Sequence, residues 1–359
     1  MPDTAPLQQL IARVGALDHD AMLAARQRQD QLTKPPGSLG RLERLAIQVG
    51  GITGRVCPRF DRAAVIVMAA DHGVAAEGVS AYPSAVTQQM VRNFAAGGAA
   101  INVLARQAAA RVVVVDIGVA ADLPPDLPIA HRKVAPGTAN LAHGPAMSTS
   151  QALAAIDVGV EVTEHEIAHG LDVVCLGEMG IGNTTAASAV VAAITGRPVA
   201  EVTGRGTGID DRTWRRKVAV IEQALRVNPL AANEPLALLA CLGGLEIAGL
   251  VGVVLAASAR RVPVLIDGFI ATAAALVAAE LCPAARAFMI AAHRSVEVGH
   301  MAALQRLELE PVLALDLRLG EGTGAMLVLP VLRSALALVS EMATFDEAGV
   351  HGTAANSLP

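Results

Sequence analysis

Short apolar runs rich in β-branched residues alternate along this chain with amphipathic or alanine-rich stretches. Runs that are apolar throughout are typical of strands buried on both faces of a parallel sheet. Each run ends in polar or glycine residues before a helical pattern resumes, which predicts an α/β fold. Strands are predicted at residues 63–70 and 111–115, from residue 171, and at residues 261–266, 287–291 and 312–317.

Apolar positions at helical spacing predict the elements between these strands. Ser38 follows a pair of prolines and is expected to cap the helix that begins RLERLAIQ. Asp210 or Asp211 is expected to cap another helix. Helices are predicted at residues 5–31, 148–169 and 235–260, the last broken at Gly243-Gly244, whereas residues 124–145 are predicted to be irregular.

The stretch from Leu171 to Ala189 combines a predicted strand, a glycine loop and an alanine-rich helix. Glycines allow backbone N–H groups to approach an anion, and the dipole of the following helix favours negative charge. The spacing of Gly177 and Gly182 nearly matches a P-loop, but Asn183 stands where a P-loop has its lysine. The loop therefore predicts a site better suited to a monophosphate than to ATP. The alternative is a tight turn that binds nothing.

Composition narrows the class of protein. The chain has 359 residues, of which 53% are hydrophobic and only 2% aromatic, so it can form one large α/β domain or two domains. Few aromatics and a net charge of −5 argue against nucleic-acid binding. The four cysteines form no CxxC pair, which predicts buried thiols in a reducing compartment. No apolar leader begins the sequence and the apolar tracts are shorter than a membrane span of ~20 residues, so we expect a cytoplasmic protein.

Polar residues after the predicted strands indicate where a ligand would bind, since ligands lie at the carboxyl ends of parallel strands. Ser80, Tyr82 and Gln88 follow the first strand and are uncharged. Neutral polar groups among apolar ones favour a flat, uncharged heteroaromatic ligand. Asp71-His72 would suit a metal, but no further ligands follow at useful spacing, so no metal is predicted.

Several cations have two possible roles. A second glycine loop, residues 203–208, contains Gly206 and precedes a helix that carries Arg215, Arg216 and Lys217. These cations have two possible roles. They either neutralise a phosphate held by the glycine loop that follows the strand from residue 171, called the central loop, or form a solvated basic face. Lys34, in a rigid loop, either reaches an active site or is a solvated linker residue.

Two carboxylates are candidates for special roles. Glu246 lies in an apolar run, which is unfavourable unless the side chain is paired or faces a cleft. Glu321 is flanked by glycines, which leave its carboxylate unshielded and make it a candidate general base. The alternative for Glu321 is a position in the first turn of a helix, where it only complements the dipole.

His165 and His169 match the H-E-x-x-H pattern of zinc proteases. Gly170 then ends the predicted helix, and the next residues lead into the strand before the central loop. The two histidines are therefore expected at the amino edge of the sheet, opposite the ligand edge, which disfavours a zinc site.

Several motifs together resemble one enzyme family, the nicotinate-nucleotide:dimethylbenzimidazole phosphoribosyltransferases. The resemblance runs in order from about residue 30 to residue 350. Its motifs are LTKPPGSLGRLE, ADHGVAAEGVSAYP with VTQQM, GEMGIGNTT, GRGTG, LIDGFI, AHRS, and LRLGEGTGA with MATFDEAG.

The resemblance implies a fold and a reaction. It implies a large domain with a parallel Rossmann-like sheet, expected at residues 60–330. A small helical domain from both chain ends is expected at residues 1–59 plus 331–359. The implied reaction is attack of 5,6-dimethylbenzimidazole on C1′ of nicotinate mononucleotide, giving α-ribazole 5′-phosphate and nicotinate with inversion, as part of cobalamin biosynthesis. The family is dimeric and needs no metal or organic cofactor.

The resemblance also implies roles for particular side chains. It assigns the general base to Glu321, which would take the imidazole N–H proton. It places Ser80, Gln88, Ser295 and Leu319 around the benzimidazole.

The ribose phosphate is expected at the central loop, with Lys217 as its cation and Asp267 at a polar position near the substrate. The resemblance lines this loop with Glu178, Gly180, Ile181 and Gly182. The loop patterns and the neutral pocket add four further predicted substrate-binding residues: Tyr82, Asn183, Thr184 and Gly206.

Two alternatives to a phosphoribosyltransferase remain open at this point. One is a protein that binds the mononucleotide without catalysis. The other is a zinc hydrolase that uses His165 and His169.

Overall fold

A computed structural model describes residues 2–229 and 234–351. In this part of the chain a single six-stranded sheet has the order β3-β2-β1-β4-β5-β6, and every strand pair is parallel. The chain therefore builds outward from β1 in one direction and then returns to β4 on the other side of β1. The strands are β1 (Ala63–Ala70), β2 (Ala110–Gly118), β3 (Ala130–His131), β4 (Val173–Met179), β5 (Val264–Ile266) and β6 (Met289–Ala291).

Helices cover both faces of this sheet, as the continuous apolar strands predict. Two short 3₁₀ segments connect strands with helices: Gly73–Glu77 follows β1, and Pro283–Phe288 precedes β6. The helices are α1 (Ala5–Ala12), α2 (His19–Gln31), α3 (Arg41–Thr53), α4 (Ala85–Ala95), α5 (Ala100–Gln107), α6 (Thr149–Ala168), α7 (Asn183–Thr195), α8 (Val199–Val202), α9 (Asp211–Val227), α10 (Pro235–Leu242), α11 (Leu245–Ala259), α12 (Phe269–Leu281), α13 (Val298–Leu307), α14 (Thr323–Glu341) and α15 (Phe345–Ala348).

The two faces of β1 belong to two different hydrophobic cores. Ile66 and Met68 pack into the core formed with α6, α7 and α10 to α13. Val65 and Val67 pack into the core formed with α3, α4, α5 and α14. Because successive side chains of a strand point to opposite faces, all eight residues of β1 are buried. The prediction of a doubly covered parallel sheet is confirmed.

Three predicted elements are wrong. The helix expected over residues 5–31 is two helices, because Asp18 caps a new helix by accepting a hydrogen bond from the backbone of Ala21 at 2.9 Å. Helix α3 begins at Arg41 after Gly40, since residues 35–40 form turns, so Ser38 does not cap it.

The third error is the strand expected at residues 312–317. Only Leu313 forms a bridge, with His293, and Asp316 adopts a left-handed conformation that ends the extended segment. Conversely, residues 124–145, which are predicted to be irregular, contain β3. This strand forms by pairing with Val115 and Asp116. The cap of α9 is Asp210, which accepts from Thr213.

The two ends of the described chain meet. Leu32 pairs with Thr344, and Arg28 donates to the carbonyl oxygen of Val339 at 2.9 Å. Helices α2 and α3 pack on each other and on α14. Helix α14 itself crosses the predicted domain boundary at residue 330. The division into residues 60–330 and residues 1–59 plus 331–359 stays a prediction, and residues 352–359 lie outside the described part.

Helix α14 is long and apolar enough to cross a membrane by length and composition. More than half of its apolar window is buried inside the protein, where the helix packs on α3, α5 and β4. Its apolar side chains, such as Leu329 and Leu332, therefore contribute to the core. Of the four cysteines predicted to be buried thiols, Cys175 and Cys282 are buried, whereas Cys57 is exposed and Cys241 is partly buried.

Helices α6 and α11 cross closely through glycines. A Cβ atom at Gly159 would overlap the carbonyl oxygen of Gly249, and one at Gly252 would overlap that of Ile156. The backbones therefore approach closely only because these side chains are absent. This crossing covers one face of β1 and β2, so the packing of that face depends on it.

We expect Gly159→Ala to destabilise the protein by about 1–3 kcal/mol, because the added methyl group forces the two helices apart. Urea unfolding measures the effect. Gly15→Ala is the matched control, since no heavy atom lies within 4 Å of the added carbon, and it should leave the unfolding free energy nearly unchanged. Equal stability of the two variants would contradict the role of the crossing.

Candidate active site

The carboxyl ends of the strands converge on one cavity of about 680 Å³. The loop after β4, the start of α12 after β5 and the segment after β6 all contribute to its wall. Helix α4, which follows β1, closes another side with Val86 and Met90. The cavity therefore lies beside the point where the strand order reverses, which is where open parallel sheets bind ligands.

Ten of the predicted site residues line this cavity. The other five, Ser80, Gln88, Gly182, Lys217 and Asp267, are not part of its wall. The ten lining residues are Tyr82, Glu178, Gly180, Ile181, Asn183, Thr184, Gly206, Ser295, Leu319 and Glu321.

The central loop, residues 180–182, leads from β4 directly into α7. Gly182 has a φ of 100° and immediately precedes the first helical residue, Asn183, as the sequence predicts. Gly180 passes so close to β1 that a Cβ atom would overlap the carbonyl oxygen of Ala70. The backbone N–H of Ile181 donates to the hydroxyl of Thr87 at 3.1 Å, which ties the loop to α4. The loop thus places the N-terminus of a 13-residue helix at the cavity wall.

Lys217 supplies a cation at this helix terminus. Its Nζ donates to Thr184 Oγ1 at 2.7 Å, and only 1% of the residue is exposed. Burial lowers the pKa of Lys217 to about 8, and the negative charge of Glu297 partly opposes this. Arg215 and Arg216 are exposed, so of the three cations only Lys217 faces inward.

Asp267 holds the loop that carries Glu321. Its carboxylate accepts from the backbone N–H groups of Gly322, Gly324 and Ala325, at 3.1, 2.6 and 3.1 Å. Burial raises the pKa of Asp267 to about 7, although these hydrogen bonds act in the opposite direction. The carboxyl end of β5 is therefore joined to the N-terminus of α14.

Glu321 lies in this loop with a φ of 64°, between two glycines that are also left-handed. Such a conformation is strained for a residue with a side chain and is often found at functional sites. Its Oε2 accepts from the backbone N–H of Ile101 at 3.3 Å. Burial raises the pKa of Glu321; the Ile101 hydrogen bond opposes this shift and Asp267 adds to it. Because α14 begins at Thr323, Glu321 precedes the helix and lies in the cavity wall.

Glu178 is the most strongly perturbed carboxyl group of the cavity wall. Burial raises its pKa to about 8, with further contributions from Asp267, Glu246 and Glu321. The amide of Asn183 donates to Glu178 Oε2, which acts in the opposite direction. At neutral pH and without substrate, this side chain is therefore largely protonated.

His72 and Glu246 form a buried pair beneath the central loop. His72 Nε2 and Glu246 Oε1 are 2.6 Å apart, and both side chains are fully buried. The ring of His72 would be 3.4 Å from a Cβ atom at Gly180, so the loop rests against it. The expectation that Glu246 requires a partner is confirmed, and that partner comes from the end of β1.

Two predicted residues lie at the rim. Ser80 Oγ is 3.5 Å from Thr207 Oγ1 of the second glycine loop, and Gln88 is half-buried on α4. Sequence reasoning missed other wall residues, although His293 and Arg318 follow predicted strands. Phe269 also follows a predicted strand and lies in the LIDGFI motif, whereas none of the quoted motifs includes Glu297. The missed wall residues include Thr207, Phe269, His293, Glu297 and Arg318.

Lys34 has neither of its two predicted roles. Its Nζ is 2.8 Å from Glu43 Oε1 in a pair that is almost fully buried. The backbone N–H of Leu39 also donates to Glu43, so the pair fixes the turn before α3. Lys34 is not part of the cavity wall.

The histidines of the H-E-x-x-H pattern lie at the C-terminus of α6, at the amino edge of the sheet as predicted. His169 Nδ1 lies 2.8 Å from the carbonyl oxygen of His165, and Glu166 pairs with Arg111. In residues 2–229 and 234–351 no group of three or more His, Cys, Asp or Glu side chains is arranged to hold a metal ion. Nothing in this arrangement supports the zinc hydrolase alternative.

Comparisons with known proteins agree with the sequence motifs. A family model described as "Phosphoribosyltransferase" matches residues 14–350. Curated relatives named nicotinate-nucleotide–dimethylbenzimidazole phosphoribosyltransferase include one from Chloroflexus aggregans, 62% identical over 96% of this chain and 98% of that protein. Another, from Roseiflexus, is 58% identical over 98% of this chain and 99% of that protein.

A solved structure is similar over almost the same length. It is the crystal structure of nicotinate-nucleotide-dimethylbenzimidazole phosphoribosyltransferase from Thermus thermophilus. The TM-score is 0.89 and the sequence identity 47%, with 94% of this chain and all of that chain covered.

The raised pKa of Glu178 predicts a pH-dependent stability. Between the ordinary value of 4.5 and about 8, the unfolded chain ionises this carboxyl group while the folded protein keeps it protonated. The folded state of the ligand-free wild type therefore loses stability as pH rises through this window. Glu178→Gln removes that loss, so its free energy of unfolding should rise relative to wild type with increasing pH.

Urea unfolding across this pH window checks the difference. Glu222→Gln, which changes an exposed carboxylate on α9, is the matched control and should show no such trend. A constant difference between Glu178→Gln and wild type would show that Glu178 is ionised in the folded protein.

Proposed function

Because the chain belongs to the phosphoribosyltransferase family whose curated members are named nicotinate-nucleotide–dimethylbenzimidazole phosphoribosyltransferase, we propose that it catalyses that reaction. It transfers the 5-phosphoribosyl group from nicotinate mononucleotide to 5,6-dimethylbenzimidazole. The products are α-ribazole 5′-phosphate and nicotinate. The observation that carries the proposal is that Glu321 and the central loop share one cavity wall, with the cation Lys217 held at Thr184 of that wall.

The phosphate of nicotinate mononucleotide binds at the N-terminus of α7. Asn183 and Thr184 of this terminus line the cavity, the dipole of α7 favours an anion there, and Lys217 adds positive charge through its position beside Thr184. The negative charge of a bound phosphate would raise the pKa of Lys217 and favour its charged form.

Glu321 acts as the general base. Its carboxylate removes the N–H proton of the benzimidazole while the other ring nitrogen attacks C1′. The C–N bond to nicotinate breaks, and its electron pair moves to the leaving ring. Because this is a single displacement, C1′ is inverted. A carboxylate whose pKa is raised by burial holds the proton more strongly than an exposed one.

The benzimidazole binds against an uncharged part of the wall. Val86 and Met90 supply apolar contact there, and Tyr82 and Ser295 supply neutral polar groups. Leu319 is 57% exposed at the cavity mouth, where it would cover the dimethyl edge of the ring. The remaining predicted contacts are Ser80 and Gln88.

Other aspects of the function follow from the family resemblance. The protein acts in the cytoplasm as a homodimer, and a small domain from both chain ends accompanies the large domain. The reaction needs no metal and no organic cofactor, because Glu321 and Lys217 supply the acid–base and electrostatic chemistry.

Nicotinate release from nicotinate mononucleotide, measured by chromatography, tests the function directly. Release that requires 5,6-dimethylbenzimidazole and yields a ribazole phosphate supports the transferase. Release without the base would indicate a nucleosidase. Binding without release would favour the non-catalytic alternative.

We expect Glu321→Gln to bind both substrates but to lower kcat by ~10²–10⁴-fold, the usual effect of losing a general base. Steady-state kinetics and calorimetric binding measure the two quantities separately. Because the pKa of Glu321 is raised above 4.5, kcat/KM of the wild type should fall as pH falls through that raised value. Turnover close to wild type in the variant would exclude Glu321 as the base.

We expect Lys217→Met to raise KM for nicotinate mononucleotide about 10- to 100-fold, since it removes a charged hydrogen-bond donor from the phosphate site. The KM for the benzimidazole should change little. Arg226→Met, which removes an exposed cation from the same helix, is the matched control. An unchanged nucleotide KM in Lys217→Met would contradict the phosphate contact.

A further inference from the structure

Glu297 is a buried carboxylate that the mechanism above does not use. It follows β6, directly precedes α13, and is only 7% exposed. Its side chain contributes to the wall of the active-site cavity and of a neighbouring cavity of about 670 Å³. No sequence pattern indicated a role for this position.

One oxygen of this carboxylate lacks a hydrogen-bond donor. Glu297 Oε2 is fully buried, and within residues 2–229 and 234–351 no donor reaches it. No lysine or arginine of that part of the chain lies within ion-pair distance of the carboxylate either. A buried charged group with an unmade hydrogen bond is unfavourable, so its presence at a ligand cavity calls for a ligand donor.

The backbone fixes the position of this oxygen. A Cβ atom at Gly204 would overlap Glu297 Oε2, so the carboxylate packs directly on the second glycine loop. Gly206 of the same loop lies against Thr184 and Lys217, the residues assigned to the phosphate. Glu297 and Lys217 therefore lie on either side of one loop, near enough for Glu297 to raise the pKa of Lys217.

Few groups of the two substrates can donate to a carboxylate. Nicotinate and the phosphate carry negative charge and would be repelled. The single N–H of the benzimidazole is assigned to Glu321. The two hydroxyl groups of the ribose remain, and they are attached to the same sugar as the phosphate.

We propose that Glu297 binds the ribose of nicotinate mononucleotide by accepting a hydrogen bond from its 2′- or 3′-hydroxyl group. This proposal rests on the proposed function, since it takes the nucleotide as the ligand. Glu178 is less suited to the same contact, because Asn183 already donates to it. The carboxylate of Glu297 thereby recognises the sugar, while the central loop recognises the phosphate.

The experiment compares three substrates in three proteins. Nicotinate mononucleotide and its 2′-deoxy and 3′-deoxy analogues are assayed for nicotinate release with wild type, Glu297→Ala and Glu297→Gln. Glu222→Gln is the control for loss of a carboxylate elsewhere.

For wild type and the control, at least one deoxy analogue should lose about 10- to 100-fold in kcat/KM, the effect of a hydrogen bond to a charged group. In Glu297→Ala the natural substrate should show a similar loss, and the same deoxy analogue should show no additional loss. Glu297→Gln keeps the shape of the side chain and an acceptor oxygen. Its kcat/KM for the natural substrate should therefore lie between those of wild type and Glu297→Ala.

Two outcomes would overturn the proposal. One is a wild type that does not discriminate against either deoxy analogue. The other is a Glu297→Ala variant that keeps the full discrimination, as expected if Glu297 only balances the charge of Lys217. Should wild type release no nicotinate at all, the proposed function fails, and dissociation constants of the same three nucleotides then decide the ribose contact independently of turnover.

Discussion

The hydrogen bonds that Asp267 accepts from the backbone at the start of α14 hold the active site together. Asp267 follows β5, the strand next to the edge strand β6, whereas Glu321 belongs to a segment that crosses back over the strand ends. Three backbone donors converge on one buried carboxylate, which offsets part of the unfavourable free energy of burying it. This anchor opposes relaxation of Glu321 from its left-handed backbone conformation.

The same edge of the sheet concentrates carboxyl groups. The carboxyl groups of Glu178, Glu246, Asp267 and Glu321 are close enough that the others together raise the pKa of Glu178. His72 Nε2 contacts Glu246 directly, and Lys217 donates to Thr184 at the start of α7. Such a cluster weakens the folded state, yet a substrate that gains positive character at C1′ is stabilised by it. The carboxyl groups that suit this edge to the reaction therefore also lower the stability of the folded state.

Much of the fold could be predicted because each signal is local. The apolar run of β1 and the interruption at Gly243-Gly244 predict the observed elements, and Ser148 caps α6 at the predicted boundary. The errors have different origins. Asp18 divides the first helix through a local cap that the pattern of apolar positions does not show. Residues 312–317 run beside the segment after β6, but the left-handed Asp316 interrupts them. Conversely, β3 forms because β2 offers an unpaired edge.

The sequence by itself determined the sheet, the glycine loop and the glycine-flanked Glu321. Backbone conformation and burial restrict which residue types occur at a position, so these features can be read from local sequence. It also determined the family, since the motifs are long and stand in order. Only the tertiary structure decided which polar groups meet. Lys34 pairs with Glu43 and Glu246 with His72, whereas Glu297 reaches the cavity without a donor for its buried oxygen in the described part of the chain. Pairing depends on distances between segments far apart in the chain, and local sequence patterns do not encode those distances.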